Sequence, residues 1–351
     1  MKIIDNSTDQ KFEYPENPTF GSANLPVVLW SDLNDSQEVF LSDTNSLPFS
    51  PFFSALHYGQ SIFEGMKAYY LNEREVGIFR PQMHSSRFSK SAKIMSMDVI
   101  SEEFFEKSII AYVEKIKKHV PKLEGHSLYL RPLLFAQDTV IKVRSSSTFK
   151  FIIMSSIVGN YFSKNSKGQK ILVSKKFTRA FPNGCGEAKT SANYALSIPA
   201  LEYAYSKGFD QVMYLDALTK TYIEELGGMN FFYVEGNTIK TPKLEGTILH
   251  GITRRSVLEL APSLGFEVKE ENLTLDQLIK KCINGEISEI FASGTAASIA
   301  PLSEIGIEDP TSLEIQRLEF NAHPVALKLR KYLEDTHRDK TDHSKKWLFK
   351  V

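Results

Sequence analysis

The chain has 351 residues, of which 42 are acidic and 42 basic, so its formal net charge at neutral pH is zero. Charges of one sign do not cluster, which argues against a nucleic-acid surface, and no apolar run reaches the roughly 18 residues of a membrane helix. Two cysteines without CxxC spacing and scattered histidines predict neither a disulfide framework nor a metal site. The N-terminal segment lacks the apolar core of a signal peptide, so we expect a cytoplasmic protein that acts on small molecules.

A chain of this length is expected to form two domains, each with its own core. In its first half, helices are predicted for "RPQMHSSRFSKSAKIM", beginning after Pro81, and for "SEEFFEKSIIAYVEKIKKHV", capped by Ser101. The polar stretch "VGNYFSKNSKGQK" has the composition of a linker. We therefore predict a small N-terminal α/β domain over residues 1–157, a linker over 158–170 and a large C-terminal domain over 171–351. The overall fold is expected to be α+β or mixed α/β.

The second half also alternates strands and helices. Two strands joined by residues 235–237 are predicted for "NFFYVEGNTIKTP", and another strand for "ISEIFASG". Helical spacing in "ITRRSVLELA" predicts a helix that Pro262 ends or kinks. A further helix is expected after Tyr194, with Pro199 inside it.

Candidate functional residues of the first half lie in three segments. In "HYGQSIFEGMKAYY", Tyr58 and Phe63 are expected to line an apolar pocket or belong to a plain core strand. The helical wheel points Arg87 toward the core, where it needs an anion, either an internal carboxylate or a bound phosphate or carboxylate. Strand alternation places Tyr129 and Arg131 on one face, which suits a carboxylate ligand or a salt bridge.

Lys189 follows a glycine-rich loop in "NGCGEAKTSANYA" and precedes a predicted helix. Such loops often hold phosphate through backbone N–H groups. A P-loop requires glycine at positions 183 and 188, where this chain has Asn183 and Ala188, so nucleotide binding by that motif is excluded. An exposed surface lysine is the simplest alternative.

Two acidic residues and two small turns complete the set. If "YIEEL" is extended, Glu224 and Glu225 face opposite sides, so one is expected in solvent and the other inside. Two short segments could be anion-binding helix starts or ordinary turns. They are "GTILHGITRRS", with Thr253, and "ASGTAAS", with Thr295 and Ala296.

Taken together and in this order, these segments resemble the class IV aminotransferases that use pyridoxal 5′-phosphate, and within them the branched-chain amino acid aminotransferases. The resemblance covers nearly the whole chain. It is carried by "HYGQSIFEGMKAYY", "FRP", "YLRP", "NYA", "ELGGMN", "GITRRS" and "SGTAA". The resemblance implies fold type IV, a homodimer with the active site at the subunit interface, and amino transfer from L-leucine, L-isoleucine or L-valine to 2-oxoglutarate.

The resemblance also implies a role for each residue. Lys189 is similar to the lysine that forms the internal aldimine, Tyr194 to the tyrosine beside the cofactor's phenolic oxygen, and Glu225 to the partner of the pyridine nitrogen. The implied phosphate cup consists of Arg87, Ile252, Thr253 and Thr295. The implied substrate side consists of Phe20, Tyr58, Phe63, Tyr129, Arg131, Gly228 and Ala296, with Ile141 and Val143 supplied by the other subunit, as Tyr58 also is. Gly228 stands where many relatives carry threonine, which removes a hydroxyl.

Two alternatives stay open at this level. Another class IV enzyme, such as a D-amino acid aminotransferase or an aminodeoxychorismate lyase, shares the fold, the cofactor and the lysine. The other alternative is a protein that binds pyridoxal phosphate without converting it. Its pocket would be altered at Ser191 and Ala192, which replace glycines usual in the family, and at Gly228. Substrate tests with L- and D-amino acids separate these hypotheses.

Overall fold

The computed structural model describes residues 1–8, 10–15, 18–33, 38–159 and 168–351. Its helices are α1 (Ser54–Tyr58), α2 (Pro81–Ile94), α3 (Glu102–Ile116), α4 (Ser191–Ser206), α5 (Ile252–Leu260), α6 (Leu275–Ile283), α7 (Pro324–His337) and α8 (Ser344–Trp347). Its strands are β1 (Lys2–Asp5), β2 (Ala23–Asn24), β3 (Val27–Asp32), β4 (Glu38–Asp43), β5 (Ser61–Phe63), β6 (Met66–Tyr70), β7 (Val76–Phe79), β8 (Ser127–Ala136), β9 (Phe149–Val158), β10 (Gln169–Val173), β11 (Gln211–Leu215), β12 (Ile223–Leu226), β13 (Met229–Glu235), β14 (Thr238–Thr241), β15 (Glu267–Glu270), β16 (Ile287–Gly294), β17 (Ser298–Glu308), β18 (Ile315–Glu319) and β19 (Leu348–Lys350). This mixture of elements confirms the predicted fold class.

The chain divides into two compact units that do not follow its order strictly. The first comprises Met1–Tyr161, Ala188–Ala192 and Glu334–Val351, and the second comprises Phe162–Glu187 and Asn193–Leu333. The sequence prediction had assigned both Ala188–Ala192 and Glu334–Val351 to the C-terminal domain. The difference arises because Thr190 forms an isolated β-bridge with Ile62 and because β19 pairs with β7. Most of the predicted linker, residues 160–167, lies outside the described residues.

One sheet organises the described part of the first unit. Its ten strands run in the order β1-β4-β3-β9-β8-β6-β7-β19, with β2 on β9 and β5 on β8. The longest pairing joins β8 to β9 antiparallel, from Ser127 opposite Val158 to Ala136 opposite Phe149. Helix α2 contributes Phe88, whose ring lies 5.1 Å from that of Phe105 on α3. The core of this unit therefore includes the interface of the two helices, and both helices cover buried sheet residues.

Helix α3 begins where the sequence predicts, and α2 begins at Pro81 itself rather than after it. Pro81 is the first residue of α2, where its fixed φ and missing N–H suit the first turn. Ser101 caps α3, because its Oγ accepts a hydrogen bond from the Phe104 N–H at 3.1 Å. These starts fix which residues of each helix face the sheet, and Arg87 of α2 is buried as expected.

The described part of the second unit has nine strands in the order β12-β11-β10-β17-β16-β13-β14-β15, with β18 on β17. Strand β12 also pairs with β13, which closes six strands into a ring. Fully buried side chains such as Ile171 and Phe231 form the core of this unit. The hairpin of β13 and β14 and the end of α5 at Leu260, before Pro262, confirm the predicted elements. Among the described helices, none combines the length and apolar content needed to span a bilayer.

Candidate active site

Lys189 belongs to the first unit and is half-buried. Its backbone N–H donates to Ser91 Oγ of α2 at 3.0 Å, and its carbonyl oxygen accepts from the Phe63 N–H at 2.9 Å. The adjacent Thr190 donates through Oγ1 to the Ser61 carbonyl oxygen at 2.7 Å. The Lys189 Nζ lies 4.9 Å from the centroid of the Phe63 ring. The backbone of this lysine is thus clamped between α2 and β5, while its amine reaches an aromatic side chain.

A continuous row of aromatic and cationic side chains extends from Phe63. The guanidinium carbon of Arg131 lies 4.5 Å from the Phe63 ring centroid, and Nη2 of Arg131 donates to Tyr129 Oη at 3.0 Å. The Tyr129 ring meets Phe20 edge to face, with centroids 4.8 Å apart. A Cβ at Gly65 would lie 2.0 Å from Tyr129 Oη, so only glycine fits there. The structure therefore brings these predicted substrate residues together with the lysine.

Arg87 is paired inside the first unit with Glu64. Its Nε lies 2.6 Å from Glu64 Oε1 and its Nη2 lies 2.8 Å from Oε2, while His84 Nδ1 lies 2.6 Å from the same Oε2. Burial alone would raise the pKa of Glu64, but the charge of Arg87 and the His84 contact hold that pKa well below its usual range. An internal carboxylate was one of the two anions that the sequence predicted for Arg87, and phosphate binding remains a prediction.

Three predicted residues lie on the surface of the first unit instead. Tyr58, Ile141 and Val143 are 39%, 59% and 81% exposed. The two segments that carry them are tied together, because the Ser54 N–H at the start of α1 donates to the Asp138 carbonyl oxygen at 2.9 Å. Exposed apolar side chains become informative where several of them form one patch, and a patch of this kind marks an interaction surface.

Glu225 is 3% exposed in the second unit and accepts hydrogen bonds on both oxygens. Oε1 receives Arg179 Nη2 at 2.8 Å and the Leu249 N–H at 3.0 Å, and Oε2 receives Asn230 Nδ2 at 3.0 Å. The expectation that one of the two acids faces solvent is wrong, because Glu224 is also buried, at 7% exposure. Strand β12 pairs with β11 along one edge and with β13 along the other, and all four of its residues are buried, so both of its faces are covered.

Asn230 links Glu225 to the start of α5. The same Nδ2 that reaches Glu225 also lies 3.0 Å from the Leu249 carbonyl oxygen. A Cβ at Gly251, the N-cap of α5, would lie 1.9 Å from Asn230 Oδ1, so glycine is required at the cap. The helix therefore begins at a fixed position relative to the carboxylate. Its first residues, Ile252 and Thr253, are where backbone N–H groups can hold an anion.

Gly228, Tyr194 and the turn after β16 are neighbours in the second unit. Gly228 has φ +81°, and a Cβ there would lie 4.0 Å from Tyr194 Cε1. A Cβ at Gly294 would lie 3.2 Å from the Gly228 carbonyl oxygen, and Thr295 and Ala296 follow Gly294 directly. These residues were predicted separately, and the structure collects them at one place within this unit.

The glycine-rich loop before Lys189 has a packing role. A Cβ at Gly186 would lie 2.6 Å from the Thr247 carbonyl oxygen and 2.7 Å from Ala180 Cβ. Arg179 Nη2 donates to the carbonyl oxygens of Gly186, at 3.1 Å, and of Thr247. The glycine thus lets two backbone segments approach, in agreement with the exclusion of a P-loop.

Sequence reasoning missed four polar residues that hold the predicted ones. These are Glu64, Arg179, Asn230 and Thr247. A charge inside an apolar run is a signal that could have found Glu64, because a buried carboxylate requires a partner. Asn230 and Thr247 carry no comparable signal, since asparagine and threonine are common in turns and strands.

Comparison with known proteins gives a consistent result. The family model described as amino-transferase class IV matches residues 61–305. The chain is 40% identical over 266 residues to branched-chain-amino-acid transaminase 1 of Bacillus subtilis (strain 168), which covers 76% of this chain and 75% of that protein. It is 37% identical to a probable branched-chain-amino-acid aminotransferase of Streptomyces coelicolor, over 95% of this chain and 92% of that protein.

Solved structures of similar proteins have the same fold. A T.th. branched-chain amino acid aminotransferase with pyridoxamine 5′-phosphate is 28% identical and has a TM-score of 0.75, covering 93% of this chain and 98% of that one. The same enzyme complexed with N-(5′-phosphopyridoxyl)-L-glutamate gives a TM-score of 0.74. A branched-chain amino acid aminotransferase from Escherichia coli gives 0.72 at 28% identity, over 88% and 95% of the two chains.

Proposed function

The chain belongs to the class IV aminotransferase family, and we propose that Lys189, Tyr194 and Glu225 are the residues that hold and serve its cofactor. The predicted activity is confirmed by the family and by relatives named branched-chain aminotransferases. The chain is thus a pyridoxal 5′-phosphate-dependent transaminase that moves the amino group of L-leucine, L-isoleucine or L-valine to 2-oxoglutarate.

The position of Lys189 is the observation that carries the assignment of residues. Two backbone hydrogen bonds fix this lysine, and its Nζ lies over the Phe63 ring. A surface lysine keeps its amine in bulk water, whereas the amine of this half-buried lysine lies against an aromatic ring. An amine that forms and breaks a covalent bond requires a defined approach, and contact with the ring restricts where this amine can lie.

Residues of each unit, taken separately, have the chemical groups that a phosphorylated pyridine aldehyde requires. Lys189 supplies the amine for the covalent link, Tyr194 a phenol hydroxyl, and Glu225 a buried carboxylate for a ring nitrogen. For the phosphate we propose Arg87, Thr295 and the start of α5 at Ile252 and Thr253, since cations and helix N-termini attract anions. Bound pyridoxal 5′-phosphate supplies the electron sink that makes loss of the substrate's Cα proton possible.

The chemical work of this chain's own residues is proton handling and orientation. With the cofactor bound, Lys189 Nζ would take the proton from the substrate Cα as general base and would donate it to the cofactor's C4′ as general acid. The Glu225 carboxylate would accept a hydrogen bond from the ring nitrogen. The Leu249 N–H and Asn230 Nδ2 hold this carboxylate in place at 3.0 Å each, so it need not reorganise during the reaction.

The row from Phe63 to Phe20 is the proposed substrate side. Phe20, Phe63 and Ala296 offer apolar surface for a branched side chain, and Gly228 leaves space where a larger residue would stand. Arg131 offers the charge that a second carboxylate of glutamate or 2-oxoglutarate needs, with Tyr129 bonded to it at 3.0 Å. A site that alternates between apolar and diacid substrates needs both features.

We further propose that the protein is a homodimer and that Tyr58, Ile141 and Val143 serve the partner's site. Their exposure on the first unit supports this, as does the exposure of Phe49 and Phe52 nearby in sequence, at 68% and 52%. Association would cover this apolar surface. The two free cysteines fit a reducing compartment, and a cytoplasmic location is part of the proposal.

Mixing two inactive variants tests the dimer. If Tyr58 acts across the interface, a heterodimer of K189A and Y58A chains has one site with both residues intact. We expect activity well above that of either homodimer after the two proteins are unfolded together and refolded. Activity no greater than the sum of the separate proteins would mean that Tyr58 acts within its own chain.

The absorption spectrum of the purified protein tests the residue assignment. The yellow absorbance of covalently bound cofactor is expected to disappear on adding L-leucine and to return on adding 2-oxoglutarate. K189A is expected to fold, to bind the cofactor without that absorbance and to lose turnover. Transamination retained by K189A would overturn the role of Lys189, and reaction with D-amino acids alone would indicate another class IV enzyme.

A further inference from the structure

Arg179 stands behind Glu225 in the second unit and has no role in the function proposed so far. Its side chain is 9% exposed, and Nη2 lies 2.8 Å from Glu225 Oε1. The same nitrogen donates to the carbonyl oxygens of Gly186 and Thr247. The arginine is therefore held by backbone on one side and by the carboxylate on the other.

The neighbouring Glu224 shows what burial does to a carboxyl that lacks this contact. Burial raises the pKa of Glu224, against the lowering effects of its Thr247 hydrogen bond and of the more distant Arg179. Among the described residues, Glu224 Oε2 has no hydrogen-bond partner. Glu225 is buried on the same strand, but a guanidinium lies at contact distance and both of its oxygens accept hydrogen bonds, which are the contacts that favour the charged form of a carboxyl.

The ionisation of Glu225 is important because one proton shared by a carboxyl and a pyridine nitrogen can lie on either group. In apolar surroundings the neutral acid beside a neutral pyridine is favoured, since neither group is then charged. A guanidinium at hydrogen-bond distance favours the carboxylate, and with it the protonated nitrogen. The protonated ring is the stronger electron sink, and loss of the substrate's Cα proton depends on that sink.

We propose that Arg179 is a positioning residue that keeps Glu225 ionised, so that the proton shared with a bound cofactor lies on the ring nitrogen. The inference rests on the proposed function, because it requires Glu225 to face that nitrogen. Arg179 does not touch the cofactor in this proposal. It acts through Oε1 of Glu225, and through the loops of Gly186 and Thr247 it keeps that oxygen in place.

Nitrogen-15 NMR of the holoenzyme with ring-labelled cofactor measures the proton directly. The wild-type shift is expected to be that of a protonated pyridinium at neutral pH. R179Q, which keeps N–H donors without the charge, and R179M, which removes both, are expected to give the shift of an unprotonated ring. R179K restores the cation and is expected to restore the pyridinium shift. Either uncharged variant suffices if the other does not fold.

Cofactor affinity gives a second readout on the apoprotein. R179M is expected to bind pyridoxal 5′-phosphate about tenfold or more weakly than wild type, because a charge-assisted hydrogen bond is lost. Its affinity for the analogue with C–H in place of the ring nitrogen is expected to change less than about threefold. R254M is the matched control, since Arg254 is also buried and pairs with Glu270 and the Pro242 carbonyl oxygen at 3.0 and 2.9 Å. R254M is expected to change the affinities for pyridoxal 5′-phosphate and for the analogue by the same factor.

The outcomes separate this inference from the function on which it rests. A pyridinium shift unchanged in R179Q and R179M would overturn the inference and leave the aminotransferase function standing. Equal loss of affinity for both cofactors in R179M would also overturn it, because it would mean a structural role. Wild-type protein that binds neither cofactor would refute the proposed residue roles themselves.

Discussion

Replacing Glu64 by glutamine tests whether the buried cluster around Arg87 stabilises the first unit. Glu64 is fully buried, and its two oxygens receive Arg87 Nε at 2.6 Å, Arg87 Nη2 at 2.8 Å and His84 Nδ1 at 2.6 Å. Glutamine keeps the shape of the side chain but removes the charge. Removing one partner of a buried ion pair costs about 3–5 kcal/mol, because the remaining charge stays desolvated. We expect the lower end, about 3 kcal/mol, since the amide oxygen still accepts one hydrogen bond.

Tryptophan fluorescence during urea unfolding of the apoprotein measures this change. Both tryptophans, Trp30 and Trp347, lie in the first unit, so the signal reports the unit that contains Glu64. E103Q is the control, because Glu103 and its partner Lys107 are 74% and 55% exposed and water screens such surface pairs, which contribute little to stability. A loss in E64Q no larger than that in E103Q would refute the reasoning. Phosphate is expected to recover part of the loss if Arg87 binds it.

Three further changes have expected outcomes. Because the pKa of Glu64 is held below its ordinary value, the stabilising effect of this carboxylate is present at neutral pH and is lost progressively as the pH falls below about 5. Melting temperatures measured from pH 7 to pH 3 should therefore fall less steeply in E64Q than in wild type. G65A places a Cβ 2.0 Å from Tyr129 Oη and is expected to raise KM for amino donors, with partial rescue by Y129F in steady-state kinetics. G251A displaces Asn230 and is expected to weaken cofactor binding in equilibrium titrations, with little change in the melting temperature. An unchanged affinity for the cofactor would contradict the proposed link from Glu225 to α5.

Local sequence signals predicted the local features of the fold. The cap of α3 at Ser101 depends on three consecutive residues after it, and the start of α2 depends on Pro81, so both could be read from short segments. Pro199 was expected inside a helix and lies inside α4. Buried Glu224 shows the limit, because strand alternation cannot tell that both faces of β12 are covered.

The unpredicted features are pairings between distant residues. No local pattern indicates that Thr190 forms a bridge with Ile62, so Lys189 could not be assigned from sequence to the unit that precedes it in the chain. Likewise, the helical wheel predicts that Arg87 faces the core but does not indicate its partner, Glu64, which lies 23 residues earlier in the chain. Such contacts are selected by the packing of whole sheets, and a single sequence does not display that choice.

Two of the charges proposed for cofactor binding have an internal counter-charge. Arg87 has Glu64 and Glu225 has Arg179, so an internal salt bridge and a ligand-binding role need not exclude one another. A protein that binds a charged cofactor must fold before the cofactor arrives, and a buried unpaired charge would then cost several kcal/mol. An internal partner removes most of that cost and fixes the orientation of the ligand-binding group. The cofactor's phosphate and ring nitrogen would then contact groups that are already charged and already oriented. Less reorganisation would be required on binding.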